Sequence, residues 1–127
     1  MPLHPGDTFF VDIGGGSKFW VVADVADGIA ITYPFDKGYQ DDLSCVLTPT
    51  DHPPLKTEQA IVYAWGVELS AEAQQKLVGL WSFEPRKPLS AAALDKVRKG
   101  GLESRQVSPR IKAILHKSRL AAAKGLI

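Results

Sequence analysis

Apolar and polar residues alternate with a period of two through much of the first half of the chain, the repeat of a strand with one buried face. Residues 8–13 put Phe9, Val11 and Ile13 on one side. Three glycines and a serine at 14–17 follow as a loop. Lys18–Val25 reads as a second strand, with Phe19, Val21, Ala23 and Val25 on one side and Trp20 and Val22 on the other, so both of its faces are covered at least in part. Asp27-Gly28 is a strong hairpin signal and leads into the alternation Ile29, Ile31, Tyr33, Phe35. After an acidic loop at 36–43 come a short strand at 44–48 and a proline-bearing loop at 49–57. A fifth strand at 60–65 places Ile61, Tyr63 and Trp65 together.

From residue 70 the period lengthens to that of a helix. Ser70 caps a segment running to about Leu80, with Ala73, Leu77, Leu80 and Trp81 at helical spacing. Ser90 caps a second helix that Gly100-Gly101 stops after Lys99. Ser108-Pro109 opens a third, to about Lys124. On that helix Ile111, Ile114, Leu115, Ser118 and Ala122 form an apolar stripe. Arg110, Lys117 and Lys124 flank it on one side, and Lys112, His116 and Arg119 on the other. The expected fold is α+β: a small closed or half-closed β-barrel of five short strands followed by two or three C-terminal helices.

Charge sharpens this division. Residues 1–69 carry three Lys and no Arg against ten Asp and Glu, while residues 70–127 carry twelve Lys and Arg against four. The net charge of +1 is the average of an acidic β-barrel part and a basic helical part. A chain of 127 residues has room for a single domain over 1–127. No apolar run is long enough for a bilayer span, and the N-terminus has no signal-peptide pattern. Cys45 stands alone, which excludes an internal disulfide. Together these features predict a small cytoplasmic protein, with no membrane among its partners.

The candidate chemistry is sparse. The glycine run lacks the spacing of a phosphate-binding loop and is followed by a strand, where a phosphate cradle needs a helix. Lys18 nevertheless places a cation at the hairpin mouth. Asp51-His52 can form an acid–base pair, because a carboxylate beside an imidazole fixes its tautomer and raises its pKa; the same residues also suit a capped turn beside Pro53 and Pro54. Asp36, Asp41 and Asp42 match no calcium-loop spacing and read as a solvated acidic loop. Cys45 and the three tryptophans, Trp20, Trp65 and Trp81, read as core. The basic rows Arg110, Lys112, Lys117, Arg119 and Lys124 are the best nucleic-acid feature, suited to phosphates and without a base-reading motif.

The opening Gly6-Asp7-Thr8-Phe9-Phe10-Val11-Asp12-Ile13, the glycine loop and Phe19-Trp20-Val21-Val22-Ala23 resemble the start of MazF/PemK-like toxins. Asp41–Leu47, Asp51-His52-Pro53 and Tyr63 also resemble a group of small bacterial proteins encoded as toxins. The likeness spans about residues 6–66 and is one of short strands. It implies an SH3-like barrel and a metal-independent endoribonuclease of a toxin–antitoxin system that dimerises and meets a protein antitoxin. The sequence departs from that family in having Lys18 where an arginine is expected, and Thr32 before Tyr33-Pro34 where proline precedes the hydroxyl residue. A lysine does not reproduce arginine's two-pronged grip on a phosphate.

On this basis the leading expectation is an RNA-cleaving protein with no cofactor and no metal. Lys18 would stabilise the phosphorane, His52 would act as general acid or base, and Asp51 would orient it, with the ribose 2′-hydroxyl as nucleophile. The alternative is a non-catalytic binding module whose basic C-terminal helix engages nucleic acid or an acidic protein partner. A third expectation is an accessory protein whose acidic and basic parts satisfy each other.

Overall fold

The computed structural model describes residues 2–12 and 17–125, so Met1, Ile13 of the expected first strand, the glycines at 14–16 and the last two residues lie outside the described residues. The fold is α+β, with seven strands and three helices. Strands β1 (Thr8–Asp12), β2 (Ser17–Ala26) and β3 (Ile29–Asp36) form the antiparallel centre of the sheet. Strands β4 (Val46–Leu47), β5 (Gln59–Ile61), β6 (Val67–Leu69) and β7 (Glu84–Arg86) are short additions to it. The order along the sheet is β4-β5-β3-β2-β1-β7, with β6 also paired to β3. Strand β3 thus changes partner along one edge: its start pairs with β6 and its end with β5. Its terminal strands, β4 and β7, do not pair with each other, so the sheet is open.

Two strands escape a period-of-two reading of the sequence because they are three residues long, and one of them, β7, lies within the helical half, where it pairs with β1. The strand expected over 60–65 ends at Ile61, and a 3₁₀ turn covers Tyr63–Trp65. That turn keeps Tyr63 in the core and turns Trp65 outward, 44% exposed. Trp81 is 96% exposed, because the first helix stops at Val78. Of the three tryptophans expected in the core, only Trp20 is buried.

The hairpin at Asp27-Gly28 forms as its residues predict: both adopt positive φ, 53° and 77°, which matches the twist of the strands it joins. Farther back along β2 the register shifts between Val22 and Asp24. One extra residue there reverses the alternation. Phe19, Val21 and Ala23 face one core, whereas Val25 joins Trp20 and Val22 facing the other.

Each face of the sheet carries its own layer. Helix α1 (Ala71–Val78) covers the face of Phe9, Val11, Trp20 and Val22, where Leu77 and Val78 pack. Buried Gln74 ties this layer together: it accepts from the Leu3 N–H and donates to the carbonyls of Gly28 and Leu69. Helices α2 (Ala91–Glu103) and α3 (Pro109–Ala123) cover the other face, where Ala93, Val97, Ile111 and Leu115 meet Val21, Ile31, Tyr33 and Phe35. Ser70, Ser90 and Ser108 cap the three helices, each accepting from the backbone N–H three residues on.

Gly100 and Gly101 do not stop α2, which runs on to Glu103. They are the points of closest packing instead. A Cβ on Gly100 would stand 2.5 Å from Cys45 Cβ, 2.5 Å from the Tyr63 hydroxyl and 2.9 Å from the Ser44 carbonyl. Helix propensity alone would make Gly100→Ala stabilising by about 1 kcal/mol. Overpacking against these groups costs about 1–3 kcal/mol and also threatens the bond from the Tyr63 hydroxyl to the Val97 carbonyl. The expected result is a lower melting temperature for Gly100→Ala. A rise would show that the helix stands farther from Cys45.

Candidate functional site

The three residues suited to RNA cleavage do not form one constellation. Thr48, Asp51 and His52 lie on the turn after β4, where the His52 N–H donates to the Thr48 carbonyl. The Asp51 carboxylate faces back into that turn. One oxygen accepts from the Thr48 N–H and hydroxyl, and the other meets the Lys96 ammonium of α2. The Lys96 hydrogen bond, then that of the Thr48 backbone, hold the Asp51 carboxyl below the usual carboxylate range. Both oxygens are therefore committed away from the imidazole.

His52 is 1% exposed, and its Nε2 is buried without a hydrogen-bond partner. Its ring lies nearly parallel to that of Phe19, with centroids 6.3 Å apart. Burial, then the charge of Lys87, push its pKa below the ordinary value. The neighbouring Lys18 side chain leaves β2 on the face opposite Phe19, by the alternation of the strand, and its ammonium lies 5.2 Å from the centre of the Trp65 ring. Thr32, the nearest hydroxyl to the toxin pattern, is buried and donates to the Val67 carbonyl at 2.8 Å.

A testable pH dependence follows from His52. Unfolded, the imidazole takes up a proton near pH 6.5; folded, it resists protonation to lower pH. The unfolded state then binds more protons, so stability falls as pH drops through 6.5 and below. Melting temperatures of the wild type and His52→Asn between pH 8 and pH 5.5 measure this. The expected result is a steeper fall for the wild type. Equal slopes would show that His52 charges freely in the fold.

The basic residues from α2 to the end of α3 divide into two groups. Arg110 grips both carboxylate oxygens of Glu68 at 2.7 Å, and Arg119 pairs with Asp95 of α2. Lys96 pairs with Asp51 at the surface, and Arg98 with Asp24 in the interior. The pairs of Arg110, Lys96 and Arg98 join the basic part of the chain to the acidic part. By contrast Lys99, Arg105, Lys112, Lys117 and Lys124 form no ion pair with any of the described residues. Lys117 and Lys124 lie two helical turns apart, to one side of the exposed crest of α3, and Lys112 lies to the other.

Aromatic exposure completes the surface. Trp65 meets Tyr39 edge to face at 5.2 Å, and the Tyr39 hydroxyl bonds with Gln106 ahead of α3. The clearest sequence signal for this platform was the glycine after Tyr63-Ala64-Trp65, which ends the strand pattern. Cys45 is buried, and burial pushes its thiol up to about 12, which suits a packing residue and not a nucleophile. His4 pairs with Asp7 at the surface. Among the described residues no three of His, Cys, Asp and Glu converge to hold a metal ion, and no helix is long and apolar enough to cross a membrane. Compared with known proteins, the chain matches no family model and is similar to no curated protein at a significant level.

Proposed function

We propose that this protein is a non-catalytic nucleic-acid-binding module that holds a phosphate backbone along the outer face of α2 and α3. The observation that carries this is the division of the cations. The fold neutralises Arg98, Arg110 and Arg119 but leaves Lys99, Arg105, Lys112, Lys117 and Lys124 on the helical layer without acidic partners among the described residues. Lysines so placed release counterions from a polyanion and need no base contacts. If charge balance within the chain were their whole purpose, they would sit against the acidic loop residues Asp27, Asp36, Asp41 and Glu58, which also lack ion pairs among the described residues.

In the finer architecture we read an opened relative of the SH3-like barrel of MazF/PemK-like proteins. The change of partner along β3 and the bulge in β2 support it, because both curl a sheet towards closure. Toxin-type ribonuclease activity is the second reading, favoured by one observation: the unpartnered Nε2 of His52. It would require the 49–55 turn to lift from Phe19, because a general acid or base must come within hydrogen-bond reach of its proton. An acidic antitoxin-like protein or a second copy of the chain is a rival occupant of the helical face.

The test is fluorescence anisotropy of a labelled single-stranded RNA with the wild type and a variant carrying Lys112→Ala, Lys117→Ala and Lys124→Ala. The expected result is at least a tenfold loss of affinity, with the salt slope shallower by about two for three lost contacts on a single strand. Unchanged binding would overturn the assignment.

A further inference from the structure

Between the 3₁₀ turn, β6 and the start of α3 lies a cleft of about 250 Å³. Tyr33 and Tyr63 form its aromatic wall, Gly66 and Glu68 one side, and Gln106 and Ser108 the other. One feature marks it as more than a packing gap. The Tyr33 side chain is 4% exposed, yet its hydroxyl makes no hydrogen bond within the described residues, whereas the hydroxyl of neighbouring Tyr63 donates to the Val97 carbonyl. That hydroxyl reaches solvent in the cleft and keeps a donor to offer a ligand.

The lining selects the ligand. Burial, then the nearby Glu68 carboxylate, raise the Tyr33 pKa to about 12. The carboxylate repels a phosphate and favours a neutral group bearing N–H donors. Arg110 occupies part of each carboxylate oxygen and leaves further lone pairs free. Beside this acceptor stands the Tyr33 hydroxyl as donor. A cavity of about 150 Å³ holds a benzene ring, so this one admits a fused bicyclic ring. Ala64 and Gly66, on either side of Trp65 in the chain, and the start of the helix bearing the unpaired cations line it. Aromatic platforms beside cations are how single strands are held base by base.

We infer that the cleft is a nucleobase site: one base of a single-stranded nucleic acid enters beside Tyr33 and offers its amino edge to Glu68, with its phosphate outside towards the cations. This deepens the nucleic-acid reading above and rests on it for the strand, but the base site can be tested alone. The Arg110 nitrogen lies 2.7 Å from both Glu68 oxygens, so a single N–H fits on an outer lone pair; guanine, adenine and cytosine carry an amino group for it and uracil does not.

The experiment titrates the full chain with guanosine, adenosine, cytidine and uridine 5′-monophosphates and follows NMR shifts of the Tyr33 ring and the Gly66 and Ser108 amides. The inference expects saturable shifts there with the amino-bearing guanosine, adenosine and cytidine monophosphates, and the weakest with uridine. Tyr33→Phe should weaken binding about fivefold, and Glu68→Gln at least tenfold, as for a neutral and a charged hydrogen bond. Melting temperature should not move in Tyr33→Phe, whose hydroxyl bonds nothing in the fold. No saturable shift at the cleft, or affinities indifferent to both substitutions, would overturn the inference. Mononucleotide binding at the cleft beside RNA binding that ignores salt and the three lysines would sink the helical-face assignment alone. The reverse pattern would sink the cleft alone.

Discussion

A chain shortened to end at Ser104 is expected not to fold. The deletion removes Val107, Ile111 and Leu115, all buried in the core that Val21, Ile31, Tyr33 and Phe35 line from the sheet side. Truncating one buried Leu or Ile to Ala costs about 2–5 kcal/mol, and a domain has only about 5–15 kcal/mol in total. The Arg110–Glu68 pair and the bond between Tyr39 and Gln106 are lost as well. Circular dichroism of the shortened chain should show no cooperative melting. A folded, cooperatively melting product would mean that α3 is a detachable arm, and its cations would then be free to meet a partner without the rest of the protein.

The second large effect concerns the buried pair of Arg98 and Asp24. The bulge in β2 leaves the Ala23 carbonyl directed at α2, where Arg98 Nε donates to it at 3.0 Å, while Nη2 reaches Asp24 Oδ1 at 3.4 Å. Asp24 Oδ1 also accepts from the Val25 N–H, and Oδ2 has no partner. Arg98→Ala therefore strands a buried carboxylate, at a cost of about 3–5 kcal/mol. For a domain of this size that is a fall of roughly 10–20 °C in melting temperature. Replacing both partners at once, Arg98→Met with Asp24→Leu, should recover most of the loss, because a buried pair is worth little against well-packed apolar groups. A single Arg98→Ala as stable as the wild type would show that water reaches the pair.

Much of this fold is written in local pattern. The three serine caps, the Asp27-Gly28 turn and the two-sided apolar content of β2 follow from residues next to one another in the chain. What escapes local pattern is set by distant contacts. Gly100 looks like a helix stop until Cys45 and Tyr63 are seen against it. Strand β7 contains Pro85 and spans three residues, so only its pairing with β1 defines it. Trp65 and Trp81 keep an apolar rhythm along the chain but sit where the regular element has already ended.

The candidate chemistry divides the same way. Asp51 and His52 are neighbours in sequence, yet the turn that brings them together spends the carboxylate on Thr48 and Lys96 and buries the imidazole against Phe19. Of the five basic residues singled out on α3, Arg110 and Arg119 are taken by Glu68 and Asp95, which no periodicity could reveal. Lys112, Lys117 and Lys124 stay unpaired among the described residues and carry the proposal. The Tyr33 cleft joins residues more than 70 positions apart, Tyr33 and Ser108 among them, and has no sequence signature at all.

One titration tests binding without cleavage most directly: purified protein against a labelled single-stranded RNA in EDTA over a range of salt, with the RNA recovered and sized afterwards. The account predicts an affinity that falls steeply as salt rises, with full-length RNA recovered from the wild type and from His52→Ala alike. RNA cut by the wild type and left whole by His52→Ala would contradict it, and would move the function from the helical face to the turn that carries His52.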